Sequence, residues 1–484
     1  MIMIAAIVLP MILGAALPFV KIKNRNALHG LVIGTTALEA VLGLAVILSE
    51  EKLLELWRIT DTLTVSLRAD GMAKLFTVLF TFGWLLVSVF AFEYMKHEHN
   101  EDRFYAFFLL SEGALVGLSL SANMAAMYLC FELATLLSMP LVLHSMKKDA
   151  MSAALKYLFY SIAGAFMALL GIFFLAHYST SLDFVPGGCL DRAAAEGHEG
   201  VLLTVILITV IGFGTKAGMY PMHGWLPTAH PVAPAPASAV LSALIAKAGV
   251  LAIVRILYYV VGVDFVKGTW VQITLLSLSL FTVLMGSLMA YRERNLKKRL
   301  AFSTVSQISY ILTSLFIFSA EGVQGALLHT VFHAAVKTCL FLGAGALIYC
   351  TGKTAADEYK GMGRKMPVVM WSFALASVTL IGIPPTGGFW SKWAMASAAL
   401  DSAPGFFSWL IPVVLLISAL LTAGYLMPVV IDAFFPGEQA PAVKRSESPM
   451  MWAPMAVLAA VCVLLGMFSG GLAGFTQGLA SLLV

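Results

Sequence analysis

Apolar residues in this chain neither alternate with polar ones nor recur on one side of a helical repeat. They come in long unbroken runs divided by short polar connections, the pattern of helices whose surroundings are themselves apolar. A helix needs about 20 mostly apolar residues to cross the hydrocarbon core. Measured by that length, the pattern predicts an all-α polytopic membrane protein with about 14 transmembrane helices. They fall at residues 2–20, 27–49, 72–94, 104–121, 123–144, 152–176, 200–220, 236–260, 269–290, 300–319, 322–349, 367–399, 406–431 and 450–470. The narrowest division is Ser121–Asn123, where an asparagine between apolar runs suits a tight interfacial turn. The first run, Ile2 to Val20, has no charged leader and no small-residue cleavage site, so it reads as a retained span.

Two spans are interrupted. The seventh carries Gly212-Phe-Gly-Thr-Lys216-Ala-Gly-Met-Tyr-Pro221-Met-His223-Gly-Trp-Leu-Pro227, and the twelfth carries Gly382-Ile-Pro-Pro-Thr-Gly-Gly-Phe-Trp-Ser-Lys392. Proline removes a helical hydrogen bond and glycine loosens the backbone, so both helices should be discontinuous. Unwound backbone at membrane depth is tolerated only inside protein or against a water-filled cavity. Paired interruptions in two halves of a chain point to a transport site. Each has a lysine within about two turns of it.

Composition supports the membrane reading. Of 484 residues, 60% are hydrophobic and 12% charged, against about 25% charged in an average soluble domain. Lys and Arg number 18 in the odd-numbered connections and 5 in the even-numbered ones. The positive-inside rule therefore places the odd connections in the cytoplasm and both termini on the outer side of the cell inner membrane. The net charge of +4 follows membrane orientation and gives no reason to expect nucleic acid. Five cysteines without a CxxC or CxxCH leave no ligands for an iron–sulfur cluster or attached haem and no disulfide framework. No cofactor, nucleotide loop or quinone site is expected in this chain, and any redox chemistry would belong to other subunits.

Seven cationic side chains fall within the spans: Lys74, Lys156, Lys216, Lys247, Arg255, Lys337 and Lys392. Lys74, Lys156 and Arg255 lie near span ends, where long side chains can reach the interface. The other four, with Glu132 in the fifth span, lie deeper. Each such charge costs about 2.5–3.5 kcal/mol at mid-bilayer, so these groups should face the protein interior and serve ion movement. Burial and pairing let a lysine or glutamate trade a proton when its partner moves. A protonated Glu132 making only a helix–helix hydrogen bond is the structural alternative. Among the other acids, Glu93 is interfacial, and Glu39 and Glu112 are left open. His329, His333 and Lys337 recur every fourth residue, so they line one face of the eleventh span about 6 Å apart. They could hand protons along that face. A zinc site on the HxxxH is the rival, weakened by the absent acidic third ligand and by the Lys337 ammonium; a plain polar seam is another.

At these residues the sequence resembles the antiporter-like membrane subunits shared by respiratory complex I (NADH:quinone oxidoreductase, middle-type chains), membrane-bound energy-converting hydrogenases and Mrp-type sodium/proton antiporters. The matching stretches are Phe131-Glu-Leu-Ala-Thr-Leu-Leu-Ser138, Lys216 through Pro221-Met-His-Gly-Trp-Leu-Pro-Thr-Ala-His-Pro-Val-Ala-Pro234, Ser238 through Lys247-Ala-Gly, Asn295 through Gln307, His329 through Lys337 and Gly382 through Lys392. The resemblance covers roughly residues 100–400, in order. It implies three leading helices (1–100), two five-helix units of inverted topology (101–262 and 263–432), and a last loop and span (433–484). It also implies roles: Glu132 pairing with Lys216, Lys247 linking two half-channels, His329, His333 and Lys337 as relay, Lys392 as exit group, and His223 beside the seventh-span break. Thr228 stands where the family usually has Asp, and Asn295 and Ser309 where it usually has Asp and Gly; these bear on subtype. The chain also ends soon after the fourteenth span, without the lateral helix of the most distal complex I subunit. The resemblance implies a proton- or sodium-translocating subunit whose partners are other antiporter-like membrane subunits, a peripheral redox module and the lipid bilayer. An independent transporter of an organic solute is the alternative; a metalloenzyme or a pure scaffold is weaker still.

Overall fold

The computed structural model describes residues 1–20, 22–58, 60, 63–435 and 447–484, arranged as a bundle of long helices. Lys21, Lys444 and Arg445, which enter the charge pattern, lie outside the described residues. In chain order the main helices are α1 (Ile2–Ala16), α2 (Arg25–Leu48), α3 (Gly71–Tyr94), α4 (Glu101–Leu120), α5 (Met124–Val142), α6 (Lys148–Tyr178), α7 (Glu199–Ala217) and α8 (Leu226–Val232). There follow α9 (Ala235–Val261), α10 (Trp270–Arg292), α11 (Leu296–Leu315), α12 (Ala320–Thr351), α13 (Pro367–Ile381), α14 (Gly387–Ser402), α15 (Phe407–Phe434), α16 (Pro449–Met467) and α17 (Gly470–Ser481). Eleven of the described helices are long and apolar enough to cross a membrane, while α1 and α13 are shorter apolar helices. One short hairpin, β1 (Leu54–Arg58) with β2 (Thr64–Leu67), closes the connection between α2 and α3 and departs from the purely helical expectation.

The surface is apolar where a soluble protein's would be polar. On α6, Leu155, Phe159, Ile162, Phe166, Leu170 and Phe173 form a helical-period stripe that points outward, with Phe159 71% exposed. Lipid is the medium that satisfies such a stripe. The interior is the reverse: every residue of α9 is buried, including Lys247 and Arg255.

The division between the fourth and fifth spans is where the pattern placed it. Asn123 caps α5, its side chain accepting from Ala126 N at 2.9 Å. Both interruptions are present as well. The helix α7 stops at Ala217 on a left-handed Gly218, and α13 stops at Ile381 on a left-handed Gly382, a conformation glycine adopts without the Cβ penalty. Trp225 Nε1 ties the first break back to α7 by donating to Thr215 O at 2.8 Å.

Arg255 differs from its sequence reading. It does not reach for the interface but is buried in an ion pair with Asp70, at 2.5 and 2.8 Å, under the rings of Phe184 and Tyr259. The cause is the start of α3. Asp70 caps that helix through Ala73 N at 2.8 Å, which turns its carboxylate inward to meet the guanidinium. Lys74 does reach a span end, donating to Ser49 O at 2.9 Å.

Candidate functional site

The interrupted helices and α9 meet α11 and α12 in the buried middle of the bundle. The helix α9 is itself irregular, with π-helical turns at Leu241–Ile245 and Arg255–Val261 that nothing in the hydrophobic pattern announced. A wider turn frees backbone carbonyls. One of them, Ser242 O, accepts from Lys247 Nζ at 3.2 Å. The same Nζ lies 2.6 Å from His333 Nδ1 on α12.

From there further polar groups follow along α12 toward the second break. The His333 and His329 rings stack with centroids 5.9 Å apart, as one turn of helix dictates. His329 Nδ1 lies 2.9 Å from Ser391 Oγ, and its Nε2 3.1 Å from Gln307 Oε1. Both imidazole nitrogens of His329 thus have oxygen partners within hydrogen-bond distance. Ser391 precedes Lys392, whose Nζ donates to Leu380 O and Ile381 O at 2.5 and 3.0 Å, the carbonyls freed where α13 ends. Tyr310 also bridges the two, stacked on His329 at 5.8 Å and lying under Lys392 Nζ at 5.1 Å. Lys337, a turn beyond His333, branches toward α11 and α15: its Nζ donates to Ser303 Oγ at 2.7 Å, and Ser303 accepts from Tyr425 OH at 2.6 Å.

The other half is built differently. Lys216 Nζ donates to Phe131 O at 2.8 Å and Thr135 Oγ1 at 2.5 Å, and sits 4.2 Å from the Phe131 ring centroid. Glu132 follows Phe131 directly in the chain, yet no ion pair joins it to Lys216 among the described residues. Glu132 is half-buried, with Oε1 enclosed and without a hydrogen-bond partner. His223 stands apart, stacked on Tyr220 beyond the first break with its Nδ1 unpartnered.

The Lys216 end of α7 and the Lys247 stretch of α9 approach closely. A Cβ on Gly249 would lie 2.6 Å from Ala217 N and 2.7 Å from Phe213 O, so α9 packs backbone to backbone against the end of α7 two residues from Lys247. Gly249→Ala is therefore expected to wedge the helices apart and cost about 1–3 kcal/mol. Thermal unfolding in detergent should show the loss; an unchanged midpoint would mean the contact yields easily.

Sequence reasoning identified the titratable groups and missed the neutral ones that connect them: Ser242, Ser303, Gln307, Tyr310, Ser391 and Tyr425. Part of the signal was present. Ser303, Gln307 and Tyr310 recur at helical spacing on α11, which is unusually polar for a buried helix. His230, inside a stretch singled out for its motif, is also fully buried with neither ring nitrogen partnered.

Comparison with known proteins covers the stretch that holds these groups. The family described as NADH:quinone oxidoreductase/Mrp antiporter, transmembrane region, matches residues 121–422, and the N-terminal region of complex I chain 5 matches residues 57–105. The NADH-quinone oxidoreductase subunit N of Desulforudis audaxviator is 32% identical over 84% of this chain and 82% of its own length. A Na(+)/H(+) antiporter subunit of Alkalihalophilus pseudofirmus is 27% identical over 83% of this chain and 80% of its own. In fold, a chain of the archaeal membrane-bound sulfane sulfur reductase superposes with a TM-score of 0.87 at 21% identity, covering 100% of this chain and 97% of that one. The matched region contains every member of the lysine–histidine line, and so this chain belongs to the NADH:quinone oxidoreductase/Mrp antiporter family of membrane subunits.

Proposed function

We propose that this chain moves protons across the inner membrane through the line Lys216, Lys247, His333, His329 and Lys392, with Glu132 as the partner that switches Lys216 and Lys337 as a branch. One observation carries this reading: the succession of groups from Lys247 to His333 by a 2.6 Å contact, on to His329 by ring stacking, and past Tyr310 to Lys392. Ammonium and imidazole nitrogens exchange protons, the ammonium groups repel cations, and hard Na⁺ prefers oxygen ligands, so the series favours H⁺ over Na⁺ as the ion conducted here. Lys247 as ammonium donates to His333 Nδ1, and as amine can accept from it, so the 2.6 Å contact can carry a proton either way. The stacked imidazoles extend the exchange to the carbonyls of the second break.

Glu132 supplies the control. Its half-exposed carboxyl lies one residue from Phe131 O, which holds Lys216, so a change in its charge alters whether Lys216 keeps its proton. His223 belongs to the mouth beyond the first break. The fourteen-span count, with residues 101–262 and 263–432 as inverted halves, fits one interrupted helix and two lysines within the spans in each: Lys216 and Lys247 in the first, Lys337 and Lys392 in the second. Cytoplasmic placement of the odd connections, with both termini outside, follows from their surplus of Lys and Arg. The partners are other antiporter-like membrane subunits and a peripheral redox module, as in the assemblies to which its relatives belong.

The experiment is reconstitution of the chain with its co-purifying subunits in vesicles holding a pH-sensitive dye. Lys216→Ala and Glu132→Ala are expected to abolish the pH signal while the complex still assembles. Full pumping by both variants would refute the proposal.

A further inference from the structure

Outside the lysine–histidine line, two more carboxyls lie buried without partners. Glu39 on α2 and Glu112 on α4 have 0% exposure, and none of their four carboxyl oxygens has a hydrogen-bond partner among the described residues. They lie within electrostatic reach of each other, on helices that both pack against α3. We propose that Glu39 and Glu112 form a proton-binding site of the N-terminal helices, fed from the Arg25–Glu101 face through His29 and Tyr105 and separate from the relay above.

The placement follows from helical periodicity. Glu101, Tyr105 and Glu112 share one face of α4, and His29, Thr36, Glu39 and Gly43 share one face of α2. Polar layers bracket the carboxyls: Thr36 and Ser88 at 2.8 Å on one side, and Thr81 against Gly43 with Thr77 and Ser119 at 2.7 Å on the other. Toward the first face, Tyr105 OH lies 3.1 Å from His29 Nδ1, and His29 Nε2 lies 2.5 Å from Glu101 Oε2. Glu101 in turn accepts from Arg25 Nε at 2.7 Å, at the edge of an open cavity of about 540 Å³ whose lining, half of it apolar, includes Lys23, Arg25, Glu98, Glu101 and Asp102. Titratable groups thus lead from that cavity to within two turns of Glu112, about 10 Å along the axis.

The ligand is set by charge. Two ionised carboxylates cannot share a site that has neither cation nor donor, so the pair takes up a proton. The described residues of the surrounding helices offer no free counter-charge. Residues 2–16 of α1 carry no titratable group, Lys74 of α3 is held at Ser49 O, Lys247 of α9 is held at His333, and α5 presents Cys130 beside Gly117, with Glu132 near Lys216. His29 is engaged by Glu101 and Tyr105.

The test is infrared spectroscopy of the full-length chain in its complex, in native lipid at neutral pH. The Glu39→Gln/Glu112→Gln double variant, isosteric and neutral, should lose a protonated-carboxyl carbonyl band that the wild type shows, and that band should shift on transfer to D₂O. Tyr105→Phe should keep the band and slow its deuterium shift by about tenfold or more. Absence of the band in wild type, its survival in the double variant, or its failure to exchange would each overturn the proposal. The outcome is independent of the relay, because Lys216→Ala leaves this band in place even where it stops translocation.

Discussion

Lys247→Ala is expected to lower proton translocation by at least about a hundredfold with the chain still assembled in its complex, because it removes the group that bridges the two halves. The structural basis is specific. Lys247 is the only described side chain within 2.6 Å of His333 Nδ1, and its other contact is a carbonyl of its own helix. Truncation leaves His333 with neither ring nitrogen partnered, since its Nε2 already lacks a partner. Lys247→Arg would keep a charge but not a transferable proton, because guanidinium does not deprotonate in proteins. It should therefore fail as the alanine variant does. Initial rates of acidification in reconstituted vesicles, set beside the yield of intact complex, make the measurement.

Arg255→Ala should destabilise the chain by about 3–5 kcal/mol, the cost of leaving one member of a buried ion pair alone. Asp70 is the member left, 7% exposed and turned inward by its capping role. Burial pushes the Asp70 carboxyl up, but the Arg255 charge and its hydrogen bonds outweigh that and hold it below the usual carboxylate range. Stability from the pair is thus present above about pH 4, the unfolded-chain value, and is lost as pH falls through the lower folded one. Thermal unfolding of the variant should show both a lower midpoint and a smaller loss on acidification. A variant as stable as wild type would mean that water or lipid headgroups solvate Asp70 in place.

Those two residues also show what could be read before the fold was known. Lys247 was conspicuous because an ammonium in an apolar run is costly wherever it points, so its type and depth alone marked it. Arg255 looked like an interfacial anchor because distance to a span end is legible in sequence, whereas its partner lies 185 positions away. The two broken helices were legible because proline and glycine act locally. The π-turns of α9 were not, since Leu241–Ile245 is composed like any helix and its register is set by packing against α12. Ser391 and Gln307 were invisible for a related reason. Neutral polar residues are common in such helices, and only the position of His329 between them gives them a role. Glu39 and Glu112 were left open by the sequence, because nothing local shows that two helices bury their acids against a third.

The claim that the buried groups act as one path is tested most directly by a double-mutant cycle on proton translocation with Lys247→Ala, His333→Ala and their combination. A single path predicts that each variant alone loses about as much as both together. Losses that multiply in the double variant, or a full rate in either single one, would contradict it.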